Sequence, residues 1–220
     1  MPFCSLTIRP VVPATANWRA AGRVRPYARV VVDESAIQRW KGGRAWRLGT
    51  AGDVAWIAEH TPPGFAITSA IPPVFEVYAT VVVPGPVEDY PQHERAVLRV
   101  LAERSADQPW WLGYLDTGAD DVVFPDAARV TLYAGWPYVL VDAGAEQAAT
   151  WRSSESWRGG LPDLIFPADR SWLLSTLWDD DWRCLGGPAA MVEEFLREPG
   201  LVARTVQLGE DATPPGHVTR

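Results

Sequence analysis

Apolar residues in this chain fall into short runs broken by Gly, Pro and Asp, a rhythm that predicts strands in series with a few helices between them. Val74 to Val83 (VFEVYATVVV) is dense in β-branched and aromatic residues and stops at Pro84-Gly85-Pro86, which predicts a strand. Residues 92–105 (QHERAVLRVLAERS) place Val97, Val100, Leu101 and Arg104 at the helical period and predict a helix with its apolar residues inward. Trp110 to Leu115 is apolar on both alternations, as a strand covered on two sides is. Arg129 to Tyr133 and Tyr138 to Val141 flank Gly135-Trp136-Pro137 and predict two strands joined by a turn. Residues 145–152 predict a short helix, and Leu161 to Pro167 reads as a connector. Ser171 to Trp178 alternates Trp172, Leu174, Thr176 and Trp178 on one face; Asp179-Asp180-Asp181 turns the chain, and Trp182 to Leu185 returns.

Pro188 opens a helix at the position where its missing N–H costs nothing, with Met191, Val192, Phe195 and Leu196 inward. Leu201 to Leu208 predicts a last strand. Nearer the start, Asp53 is placed to cap a short helix with Val54, Ile57 and Ala58 on one face, stopped by Thr61-Pro62-Pro63-Gly64. Runs of strands with interspersed helices predict an α+β fold, a largely antiparallel sheet with helices packed on one face. The same reading divides the chain into a basic, partly disordered arm over 1–50, one α+β domain over 51–208 and a flexible tail over 209–220.

Composition narrows the class. At 220 residues and 47% apolar content, the chain can bury a sizeable core. No apolar run approaches the roughly 20 residues that span a bilayer, and Met1 to Pro13 lacks a basic segment followed by an apolar one. The two cysteines, Cys4 and Cys184, cannot staple a secreted scaffold, so a cytoplasmic, reduced protein without membrane contact is expected. Residues 1–50 carry a charge balance of +7 and residues 51–220 one of −14. An acidic body repels phosphates, so no nucleic-acid partner is expected; a basic protein is the partner its charge suits. Twelve tryptophans are the outstanding feature of the composition. Their size predicts that most fill a core around the sheet, while a subset left exposed would make a carbohydrate-binding surface.

Motifs that carry chemistry are absent. There is no Gly-x-Ser-x-Gly elbow, Walker loop or dinucleotide-binding glycine pattern. His93-Glu94 begins like a zinc-protease helix, but Val97 stands where a second histidine belongs, so His93 reads as a core-edge residue. Cys184 lies in a strand pattern and reads as an inert buried thiol. No catalytic residue, metal ligand or cofactor follows from these residues. The candidate binding residues are two acidic groups and their flanking indoles: Asp116, Asp120 and Asp121 (with Asp126 beyond them), and Trp178, Asp179, Asp180, Asp181 and Trp182. Aspartates favour turns through bonds to local N–H groups. If both groups lie at one end of the sheet, their carboxylates would also bind a divalent cation or a basic partner.

The stretch Phe166-Pro167-Ala168-Asp169-Arg170-Ser171-Trp172, followed by Asp179 to Trp182 and Gly186-Gly187, resembles a segment common in uncharacterised proteins of high-GC bacteria, over about residues 162–206. That resemblance carries no activity with it. The strand-rich tryptophan pattern and acidic body also distantly resemble the SUKH group, which is implicated in immunity against toxins and in protein–protein interaction. The Leu-Pro-x-x-Tyr-x-x-Phe helix of that group is not found in this chain. The resemblance implies a non-catalytic, immunity- or adaptor-like binding module. The alternatives are a carboxylate-based, cation-dependent hydrolase or transferase using Asp116, Asp120 or Asp179–Asp181, and a carbohydrate-binding surface of exposed tryptophans.

Overall fold

The computed structural model describes residues 38–105, 107–118, 122–152, 159–177 and 180–217. Among them ten strands form one antiparallel sheet: β1 (Gln38–Lys41), β2 (Arg44–Leu48), β3 (Val77–Val82), β4 (Trp110–Leu115), β5 (Val130–Leu132), β6 (Trp136–Ala143), β7 (Leu164–Pro167), β8 (Leu173–Ser175), β9 (Trp182–Gly187) and β10 (Val202–Val206). Their order is β1-β2-β6-β4-β7-β8-β9-β3-β10, with β5 paired to the first half of β6. Four helices, α1 (Ala51–Ala58), α2 (Tyr90–Ser105), α3 (Ala145–Thr150) and α4 (Ala189–Arg197), complete an α+β fold. No helix among the described residues is long and apolar enough to cross a membrane.

Alternation along each strand sorts the apolar residues into two cores. In β4, Trp110, Leu112 and Tyr114 enter one and Trp111 and Leu115 the other; in β6, Val139 and Val141 oppose Tyr138 and Leu140. Val97, Val100 and Leu101 of α2, Ala148 of α3, and Met191, Val192 and Phe195 of α4 cover the first face. Val54 and Ile57 of α1, with Ile67, Ala70 and Ile71, cover the second. Gly49 takes the chain across to that face: its N–H donates to the Leu140 carbonyl at 2.8 Å, and a Cβ there would lie 2.4 Å from Leu140 Cδ2.

Several local expectations change. Leu164 to Pro167, read as part of a connector, is a fully buried strand between β4 and β8. Its four residues are too few to display a period, and it ends on Pro167, a residue that central strands rarely carry. Residues 38–48, read as part of the arm, form β1 and β2, and Trp46 and Leu48 enter the first core; residues 1–37 lie outside the described residues. The segment read as a tail is held at Asp211, which bridges to Ala66, and at Ala212, which is buried. Thr50, not Asp53, caps α1; Asp53 stands three positions in, where its carboxylate accepts the Thr50 N–H at 2.8 Å. Leu196 is exposed, one position round the helix from the buried Phe195.

One node ties α2 to the sheet. The indoles of Trp110 and Trp172 meet edge to face at 5.2 Å, and each donates to Ser105 Oγ at 3.1 Å. Trp110 has a second acceptor in the Ser105 carbonyl, whereas Trp172 has no other bond. Ser105→Ala therefore strands the Trp172 N–H in the core. A loss of about 1–3 kcal/mol is expected, measured as a fall in the urea midpoint at unchanged slope.

Candidate functional site

Antiparallel pairing brings the C-terminal ends of β3, β4 and β8 and the N-terminal ends of β7, β9 and β10 to the same end of the sheet. The loops after β4 and between β8 and β9 leave from that end. Asp116 and Asp181 are thus at one end, but β7 and β8 stand between their strands. Three strand spacings amount to roughly 14 Å, too far for both carboxylates to ligate one cation. Among the described residues no group of three or more His, Cys, Asp or Glu side chains is placed to hold a metal ion.

Each described candidate has its own local partners. Asp116 accepts the Gly118 N–H at 2.9 Å and pairs with Arg129 at 2.8 Å, and these bonds hold its carboxyl below the usual range, the Gly118 bond foremost. The Asp180 N–H reaches the Leu177 carbonyl at 3.4 Å. The Asp181 carbonyl accepts the Val83 N–H, and its carboxylate meets His217 Nδ1 at 2.8 Å. Trp182 is buried in the second core, with the His217 ring edge-on at 6.2 Å. Asp120, Asp121, Trp178 and Asp179 lie outside the described residues.

A second feature at this end was not singled out in the sequence. One position beyond the paired residues, Tyr114 of β4, Asp163 just before β7, Thr176 just after β8 and Arg183 of β9 fall in one row, on the face that α2 covers. Asp163 and Arg152 form a buried ion pair at 2.7 Å, and Asp163 also accepts the Leu115 N–H at 2.9 Å. Arg183 donates to Thr176 Oγ1 at 2.8 Å. From α2, Glu94 accepts the N–H groups of Gly160 at 2.5 Å and Leu161 at 3.2 Å. These bonds fasten the segment before β7 to both helix and sheet. The only sign of the row in the sequence is Arg183 between Trp182 and Cys184, since an arginine inside an apolar strand must be paired when buried.

His93 stands beside this row. It is 3% exposed, and its Nε2 has no hydrogen-bond partner. Burial first, and the charge of Arg183 second, push its pKa down to about 3, so the ring is neutral near pH 7. The Tyr114 hydroxyl is likewise buried without a partner, and burial pushes its pKa up. Cys184 is a buried free thiol whose pKa burial also raises, which removes thiolate chemistry at neutral pH.

Of the eight tryptophans whose side chains are described, Trp46, Trp110, Trp111, Trp172 and Trp182 are buried and Trp56, Trp136 and Trp151 half-buried. None of these eight offers the exposed indole face that a sugar platform requires. Comparison with known proteins finds no match: no family model, no curated protein and no solved structure is similar to the chain.

Proposed function

We propose that the protein is a binding module, immunity- or adaptor-like, whose acidic sheet end engages a basic segment of a partner protein. The observation that carries this reading is the gathering of acidic loops at one end of the sheet. Exposed Glu88 and Asp89 follow β3, exposed Asp126 lies in the loop after β4, and Asp180 and the exposed Asp181 precede β9. Of the arginines at this end, Arg129 is spent on Asp116 and Arg183 is buried, which leaves the other acidic side chains to face a partner. A field of one sign at one end steers an oppositely charged partner and is screened by salt. The separation of Asp116 from Asp181 favours this reading over a shared-cation mechanism.

A fluorescein-labelled hexa-arginine peptide serves as probe. Titration followed by anisotropy at low ionic strength is expected to give saturable binding that weakens steeply as salt is added. The paired substitution Asp180→Asn with Asp181→Asn is expected to weaken it further. Absence of binding at low ionic strength, or binding indifferent to both salt and the substitutions, would refute the proposal.

A further inference from the structure

We infer that the acidic end is self-occupied: the segment 207–217 holds His217 on Asp181 and Trp182, where a partner's basic side chain would otherwise dock. This rests on the binding reading above and adds a regulatory contact to it.

The segment is tethered at several points before it reaches Asp181. Arg204 of β10 pairs with Glu210 at 2.7 Å and donates to the carbonyls of Asp211 at 2.8 Å and Thr213 at 3.0 Å. The Ala212 N–H donates to the Phe65 carbonyl at 2.8 Å, and Ile67 returns a bond to Glu210. A turn closed by the His217 N–H on the Pro214 carbonyl, with Gly216 at φ 85°, then delivers the imidazole. Glycine suits that positive φ because it has no Cβ to clash.

The contact is made by a nitrogenous ring, a carboxylate and an indole. His217 Nδ1 lies 2.8 Å from Asp181 Oδ1, and the imidazole meets Trp182 edge-on. The Asp181 side chain remains half exposed, while that of His217 is 23% exposed. The Asp181 carbonyl extends the β3–β9 pairing by accepting the Val83 N–H, and its carboxylate takes no part in that bond, so it can exchange partners without opening the strands. A guanidinium can replace the imidazole there, since it presents N–H donors to carboxylates and packs on aromatic rings. Tethering gives His217 the advantage of an intramolecular competitor, so an incoming basic residue must displace it.

Competition gives a definite pattern with the hexa-arginine probe at low ionic strength. His217→Ala is expected to tighten binding about two- to five-fold, the range set by one partly exposed pair. Asp181→Asn is expected to weaken binding and to cancel the effect of His217→Ala when the two are combined, with circular dichroism showing the fold retained in each variant. If Asp181→Asn weakens binding but His217→Ala leaves it unchanged or weaker, the acidic end binds as proposed and the self-occupancy is overturned. If neither the wild type nor any variant binds the probe, the binding reading falls and this inference with it.

Discussion

Asp163→Ala is expected to destabilise the protein by about 3–5 kcal/mol, the cost of leaving one member of a buried ion pair without its partner. Asp163 and Arg152 have 3% and 1% of their side chains exposed, so water cannot take over solvation of the guanidinium once the carboxylate is gone. The Leu115 N–H loses its acceptor in the same substitution. Asp163→Asn is expected to cost less, because the amide oxygen can still accept from Leu115 while only the charge is lost. Removing both charges with Arg152→Met and Asp163→Leu is expected to recover part of the loss, since the cost of burying the guanidinium disappears with it. Urea unfolding of the three variants checks the order. A loss for Asp163→Ala of under about 1 kcal/mol, the scale of an exposed pair, would show that this pair is not a keystone.

This pair also marks where a linear reading of the chain stops. Trp110 to Leu115 and residues 92–105 were legible because one strand or one helix displays its whole period within itself. Leu164 to Pro167 was not: four residues bounded by Pro162 and ending on Pro167 carry too little pattern to be told from a loop. Gln38 to Leu48 was lost to its basic composition, although charged residues at a sheet's margin are ordinary protection against edge pairing. The Asp-rich loops could be named from the sequence; among the described residues, Asp116 and Asp181 lie at one end of the sheet. Their separation could not be foreseen, because it depends on β7 and β8 lying between β4 and β9. The row Tyr114, Asp163, Thr176 and Arg183 was out of reach for the same reason. Its members lie in or directly beside four different strands, and only the pairing register sets them side by side.

His93 adds a pH dependence to stability. The unfolded chain binds a proton at this residue below about pH 6.5, whereas the folded protein resists it down to about pH 3. Between those limits the unfolded state holds more protons, so stability is full above the upper limit and falls with pH by about 1.4 kcal/mol per unit. Across the whole window the loss is on the order of 5 kcal/mol. Burial sets most of its size, and the neighbouring charges do not offset it. Arg183 on β9 opposes a second positive charge, and Glu94, next along α2, spends an oxygen on the Gly160 and Leu161 N–H groups rather than on the imidazole. His93→Leu removes both the titration and the unpartnered Nε2. Near pH 7.5 its stability is expected to lie close to that of the wild type, and towards pH 4 the variant is expected to become the more stable by several kcal/mol. Every other ionisable group is common to the two proteins, so the difference between the two urea-midpoint profiles isolates His93. Profiles that stay parallel from pH 7.5 to 4 would mean that the folded protein protonates this ring as readily as the unfolded chain does.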